Sequence, residues 1–356
     1  TVHIREVQSS SLCSPTASQT ARRRSPTPTV GDRCVIFRAC CHSPIGSLDG
    51  SLARAAPGPC PLRGTEANER TCGLRSPACV VSLLLKMTQP LILITNDDGI
   101  ESQGLWAVVE ALLPLGELLV VAPDRQWSGA GRSMPHHLTG RLTSADREVQ
   151  GQFVRAYAVD ATPAVAVVHG LLELADRRPK LVVSGINYGE NLSTEVTISG
   201  TVGAALEAAS SGIPALAISL TLPISQHLTG GEMVDYTAAQ AFAARFSRLL
   251  LERRMPFDVD VLNVNVPREA TPETPWRLAR LLRQRYFEPT APDRNAGGSA
   301  SPGYRLMEAP AAAEPGSDVH LLVVQGFVTV TPLSLDMTSR VDFGQLEELL
   351  VSSEMV

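Results

Sequence analysis

Beyond Cys79 the chain has no cysteine; all seven (Cys13, Cys34, Cys40, Cys41, Cys60, Cys72 and Cys79) lie upstream. Disulfides and thiolate metal sites are therefore excluded from most of its length. No run of about 18 apolar residues occurs, which excludes a membrane-spanning helix and a membrane partner of that kind. Positive charge is not in excess: 31 Lys and Arg stand against 36 Asp and Glu, a formal charge of −5. A dedicated nucleic-acid binder would be basic, so no nucleic acid is expected as partner. The chain also lacks a Walker phosphate loop, a Gly-x-Gly-x-x-Gly fingerprint, a Gly-x-Ser-x-Gly elbow, a His-Glu-x-x-His helix and any internal repeat. What it has is ample apolar content, 44% of 356 residues, which excludes wholesale disorder and allows one large domain or two.

The composition changes near the first methionine, Met87. Residues 1–87 carry 11 basic and 5 acidic side chains, whereas 88–356 carry 20 and 31. The leading part is rich in Arg, Ser and Pro, as in Arg22-Arg23-Arg24-Ser25-Pro26, and shows no period of 2 or 3.6. No basic start followed by an apolar h-region opens it, and Cys40-Cys41 is adjacent rather than spaced as a zinc pair. An Arg- and Ser-rich transit peptide fits the composition. The expectation adopted is that residues 1–86 are a disordered or spuriously translated extension, and that 87–356 form the functional domain.

In that domain short apolar runs alternate with amphipathic ones. Leu91 to Thr95, Leu118 to Ala122, Leu181 to Ser184, Ala215 to Ser219 and Val261 to Val266 read as buried strands. Helices are expected over 105–113, after Thr162-Pro163, over 201–211 and over 236–252, with Thr162 as a cap before Pro at the first turn. The alternation predicts an α/β fold: a Rossmann-like, mostly parallel sheet with helices on both faces. Val319 to Val324 and Phe327 to Thr331, separated by Gln325-Gly326, read as a C-terminal β-hairpin extension, either a dimer arm or packed on its own sheet. The Pro-, Ala- and Gly-rich stretch 288–318 reads as a mobile loop.

Ligands of open α/β sheets bind beyond the carboxyl ends of the strands, so the polar residues that follow each strand matter most. After the first comes Asn96-Asp97-Asp98-Gly99. Adjacent carboxylates at an apolar strand end repel each other, and a hard divalent cation would relieve them, although the same tetrapeptide is good turn chemistry. After the second come Asp124-Arg125-Gln126-Trp127-Ser128-Gly129. Here Ser128 offers a neutral oxygen, and Arg125 suits either a phosphate or a turn with Asp124. After the third, Asn187 offers an amide carbonyl, or else caps its own loop. Ser199-Gly200-Thr201 opens a helix whose free N–H groups and dipole suit an anion, though helices often start so without a ligand. Four loops distant along the chain thus bring an acid pair, a hydroxyl, an amide and an anion cradle to one rim.

These strings, with Val182-Val183-Ser184-Gly185-Ile186-Asn187, Asn191, Asn263-Val264-Asn265-Val266-Pro267 and Thr331-Pro332-Leu333 followed by Asp336 and Thr338, resemble the SurE family of survival-protein nucleotidases. The likeness runs from about Pro90 to Thr338. It implies a metal-dependent phosphatase acting on nucleoside 5′- and 3′-monophosphates, and in some members on short polyphosphate. Position by position it implies one divalent metal, Mg²⁺ or Mn²⁺, held by Asp97, Asp98, Ser128 and Asn187, with phosphate contacts from Asn96, Ser199, Gly200 and Thr201. A cytoplasmic homodimer or homotetramer is implied as well. Departures from the family pattern, Ala161, Lys180, the loop Ile100 to Gly104 and the pair His136-His137, leave the ligand set intact.

The expected chemistry is attack of metal-activated water on the phosphoryl group, with Asp97 or Asp98 as proton acceptor. His136, His137 and His169 are expected to be structural or surface histidines, and no general acid is assigned. Two alternatives remain open: an aspartyl-phosphate enzyme, whose acids are usually spaced Asp-x-Asp, and a non-catalytic nucleotide sensor that uses the same rim.

Overall fold

The structure is a computed structural model that describes residues 89–229, 233–292 and 302–352. The expected extension 1–86 and the start at Met87 lie outside the described residues. No described helix is long and apolar enough to cross a membrane.

Strands β1 (Leu91–Thr95), β2 (Glu117–Pro123), β5 (Gln152–Val159), β6 (Leu181–Tyr188), β7 (Ala215–Leu220) and β8 (Val261–Val266) pair in parallel in the order β5-β2-β1-β6-β7-β8. The reversal of order beside β1 is the switch point at which such sheets bind ligands. Period-2 alternation explains why the strand runs are apolar throughout. Ile92 and Ile94 of β1 pack under α1 (Gln103–Leu112) and α4 (Thr237–Glu252), against Leu105, Val108 and Phe242. Leu91 and Leu93 point to the other face, against Val167 of α2 (Pro163–His169) and Val202 and Ala205 of α3 (Gly200–Ser210). Thr162 caps α2 and Ser199 caps α3 as the sequence offers, and Ser102, which the sequence pattern did not single out, caps α1; each accepts an N–H from the third residue on.

Three elements differ from expectation. Short β3 (Leu142–Ser144) and β4 (Arg147–Val149) pair antiparallel with β5, and all three strands were unforeseen. A C-terminal antiparallel hairpin exists, but it is β10 (Phe287–Thr290) with β11 (Gly303–Leu306), inside the stretch expected to be a loop. The expected strand Val319 to Val324 is instead a wide helical turn, His320–Val324, and Val328–Leu333 (β12) joins the main sheet, antiparallel to β8 and parallel to β9 (Trp276–Leu278). The reason for the turn lies just upstream. The wholly buried Asp318 carboxylate accepts the N–H groups of Val319 (2.9 Å), Leu282 (3.0 Å) and Ser193 (2.6 Å), and Ser317 Oγ accepts that of His320 (3.2 Å). Capping of this kind favours a helical start over a strand.

Asp318 thereby ties three segments together. Asp318→Ala, which strands three buried donors, is expected to cost about 3 kcal/mol of stability, to be read from urea unfolding midpoints.

Candidate metal and phosphate site

The turn after β1 is fixed by its own residues. Asn96 Nδ2 donates to the Gly99 carbonyl (3.0 Å), and Gly99 adopts φ +95, a conformation glycine tolerates. Ile100 N–H reaches the Pro123 carbonyl at the end of β2 (2.8 Å), and Trp127 N–H reaches the Asp97 carbonyl (2.7 Å). The Asp-Asp turn and the Ser128 loop are thus stitched together. Arg125 takes the structural alternative: its guanidinium binds Asp124 and Asp160, each at 2.9 Å, and lies over the Trp127 ring.

Asp97 is buried, and Asp98 is half-buried with its Oδ1 closed off from solvent. Thr201 Oγ donates to Asp97 Oδ1, and the N–H groups of Gly200 and Thr201 also face that carboxylate, so Asp97 itself sits at the N-terminus of α3. A Cβ on Gly200 would fall 2.7 Å from Asp97 Cβ, which only glycine avoids. Burial still holds the Asp97 carboxyl above its ordinary range. Asp98 is pushed higher, by burial and then by the Asp97 charge, with the Tyr188 N–H on its Oδ2 (3.1 Å) as partial relief. Asp98 Oδ1 and Asn96 Oδ1 are buried with no hydrogen-bond partner. Two repelling carboxyls with an orphaned oxygen suit a cation, which would remove both penalties. Among the described residues no three His, Cys, Asp or Glu gather into a metal cluster, so the neutral oxygens matter.

Those oxygens come from β6 and the Ser128 loop. The β6–β7 register shifts between Ser184 and Asn187, where Gly185 (φ +129) packs so closely on β7 that a Cβ would fall 2.1 Å from the Ile218 carbonyl. Asn187 Nδ2 donates to the Gly189 carbonyl (2.6 Å), leaving its Oδ1 as the side chain's acceptor. The loop beyond is clamped at Asn191. Asn191 N–H donates to Asn265 Oδ1 (2.7 Å), its carbonyl accepts from Asn263 (2.9 Å) and Asn265 (3.1 Å), and its Nδ2 donates to Ser219 Oγ (2.9 Å). All four side chains are buried.

Asp97, Ser128, Asn187 and Ser199, from four separate segments, line one cavity of about 440 Å³. Asp98 is half-buried beside Asp97, with the Tyr188 N–H on its Oδ2, and Asn96, Gly200 and Thr201 are buried. The Asn96 amide organises the turn, and Gly200 and Thr201 face Asp97. Of the expected histidines, His169 binds Glu173 (2.8 Å) and His136 and His137 are exposed. The sequence reading missed Glu190, His227, Phe287 and Tyr304, which line the same cavity. His227 follows β7 and Glu190 follows β6, so the strand-end rule pointed to both; the hairpin aromatics gave no such sign.

A family model described as "Survival protein SurE" matches residues 92–288. The chain is similar to the 5′-nucleotidase SurE of Thermococcus kodakarensis, at 45% identity over 260 residues, 73% of this chain and 98% of that one. It is 40% identical over 276 residues to the 5′-nucleotidase SurE of Methanosarcina mazei, covering 74% of this chain and 99% of that one. Among solved structures, that of the SurE protein from Aquifex aeolicus superposes with a TM-score of 0.56 at 33% identity, over 70% of this chain and 95% of that one.

Proposed function

The chain belongs to the SurE family, and from that premise we propose that it is a divalent-metal-dependent 5′-nucleotidase. Its substrates would be nucleoside 5′-monophosphates, with 3′-monophosphates and short polyphosphate as further candidates. One observation carries the site: Asp97, Ser128, Asn187 and Ser199 face a common cavity although they are far apart along the chain. The donor set fits a hard cation, since the acid pair repels and Asp98 Oδ1 lacks a partner. Asp97, Asp98, Ser128 and Asn187 would hold it, either Mg²⁺ or Mn²⁺. Such an ion, when bound, offsets phosphate charge and lowers the pKa of water.

The protein's own groups do the rest. The α3 dipole favours an anion at its start, and the Ser199 hydroxyl, whose oxygen accepts the Val202 N–H (3.1 Å), has its proton free to donate to a phosphoryl oxygen. Gly200 and Thr201 act behind it by fixing Asp97, and Asn96 by fixing the turn. His227 is the histidine of the cavity, yet it is no proton donor: burial lowers its pKa, Nε2 donates to the Leu222 carbonyl (2.9 Å) and Nδ1 accepts from Tyr304 (3.0 Å).

Hydrolysis of nucleoside 5′- and 3′-monophosphates and short polyphosphate, with EDTA and then Mg²⁺ or Mn²⁺ returned, tests this. The expected result is release of phosphate from a 5′-monophosphate that EDTA stops and metal restores. Undiminished turnover in excess EDTA would overturn the metal assignment.

The C-terminal helix α5 (Phe343–Ser352) has no buried residue and shows Phe343, Leu346 and Leu349 to solvent. This supports assembly as a homodimer or homotetramer, because an apolar helix face of that size is normally covered. Leu349→Glu is expected to lower the mass found by light scattering.

A further inference from the structure

Away from its oxygen-rich end, the cavity has a second face that the phosphate chemistry does not use. Glu190 lines it, only 4% exposed, and its Oε2 is buried with no hydrogen-bond partner. An acceptor of this kind is costly unless something completes it. Its place along the cavity is bounded from two sides. It follows Asn187 by three residues, a reach of at most about 10 Å; its carboxylate faces the hydroxyls of Tyr286 and Thr221, and its charge is felt by that of Tyr304. Glu190 thus lies between the proposed phosphate end and an aromatic wall.

That wall is built by the β10–β11 hairpin. Tyr304 is 41% exposed and donates its hydroxyl to His227 Nδ1 (3.0 Å), and the two rings stack at 6.1 Å and 21°. Phe287 packs edge-on against both, with centroids 5.4 Å from Tyr304 and 5.8 Å from His227. His227 is seated in turn: its carbonyl accepts from Gln126 (3.2 Å), two residues before Ser128, and Gly189 leaves it room, since a Cβ there would fall 2.7 Å from Nε2. The three rings are packed together, and the exposed part of Tyr304 borders the cavity.

A nucleotide has the same order of parts: phosphate, then a sugar with vicinal hydroxyls, then a flat aromatic base. We propose that the cavity is a ribonucleoside pocket in which the Glu190 carboxylate accepts the ribose hydroxyls and the Tyr304 ring, braced by His227, carries the base. This rests on the nucleotidase reading above and adds to it the part of the substrate that sets preference. Carboxylate-to-hydroxyl bonds contribute about tenfold or more in discrimination, and base-on-ring stacking about the same.

The test compares kcat/KM for AMP, 2′-deoxy-AMP and glycerol 2-phosphate, using the full chain with divalent metal. Wild type is expected to favour AMP over 2′-deoxy-AMP by about tenfold. Glu190→Leu should bring that ratio to within about twofold of unity, and Tyr304→Leu should lower the AMP to glycerol 2-phosphate ratio by about tenfold, mainly through KM. Should Glu190→Leu not fold, Glu190→Gln serves, with the ribose preference falling by about threefold. A ribose preference that survives both Glu190 variants, or a Tyr304→Leu enzyme that loses all three substrates equally, overturns the proposal while leaving the nucleotidase reading intact. Wild type that cleaves glycerol 2-phosphate and neither nucleotide overturns both.

Discussion

Asp97→Asn is expected to lower kcat/KM for a nucleoside 5′-monophosphate by about 10³-fold or more, roughly 4 kcal/mol of transition-state stabilisation, in a protein that remains folded. Fold and activity separate because of where the charge sits. An asparagine oxygen can still accept the Thr201 hydroxyl and the α3 N–H groups, so the turn keeps its partners. The site loses its negative charge, on which affinity for a hard cation depends. The same change frees Asp98 from its like-charged neighbour. In EDTA at neutral pH, therefore, the variant should melt above wild type, by about 5 °C for roughly 2 kcal/mol. Calorimetry in EDTA and a phosphate-release assay with Mn²⁺ check the two halves. Activity within tenfold of wild type would sink the metal assignment. A lower melting point in EDTA would show that the acid pair is not in conflict.

Asn265→Leu should do its damage at a distance. The side chain does not line the cavity, yet it accepts the Asn191 N–H and donates to the Asn191 carbonyl, in a site closed to water. Leucine matches it in size but leaves that N–H buried without a partner, at a cost of about 3 kcal/mol and a melting point lower by about 10 °C. The loop from Asn187 to Asn191 then loses its clamp, so Asn187 and Glu190 lose their fixed positions, and kcat should fall by about tenfold in the protein that remains folded. Urea unfolding and initial rates at saturating substrate measure the two effects. A stable variant with wild-type kcat would show that the clamp is dispensable.

Most of the parallel sheet was legible because burial on two faces demands apolar strands, and because Thr162 and Ser199 are recognisable caps. Strand β5 escaped notice although Val154, Ala156 and Ala158 alternate with Phe153, Arg155 and Tyr157; a half-buried strand carries a weaker pattern than a run such as Leu91 to Ile94. The segment Val319 to Val324 failed for another reason. A short apolar run fits strand or helix equally, and the choice fell to Asp318, whose carboxylate meets partners 36 and 125 residues away. The hairpin aromatics could not have been placed by pattern at all. Phe287 and Tyr304 matter because their strand pair brings them to His227, which lies between β7 and α4.

By itself the sequence determined the strands β1, β2, β6, β7 and β8 and the helices between them, and which oxygens follow those strands, since periodicity and capping are local properties of the chain. Only the tertiary structure decided which of those oxygens meet. Asp97 reached the start of α3 through Thr201, Asp98 took the Tyr188 N–H of β6, and Glu190 was left with an unpaired oxygen beside stacked rings. Distances and desolvation depend on what the fold brings alongside, and a linear string of residues does not hold that.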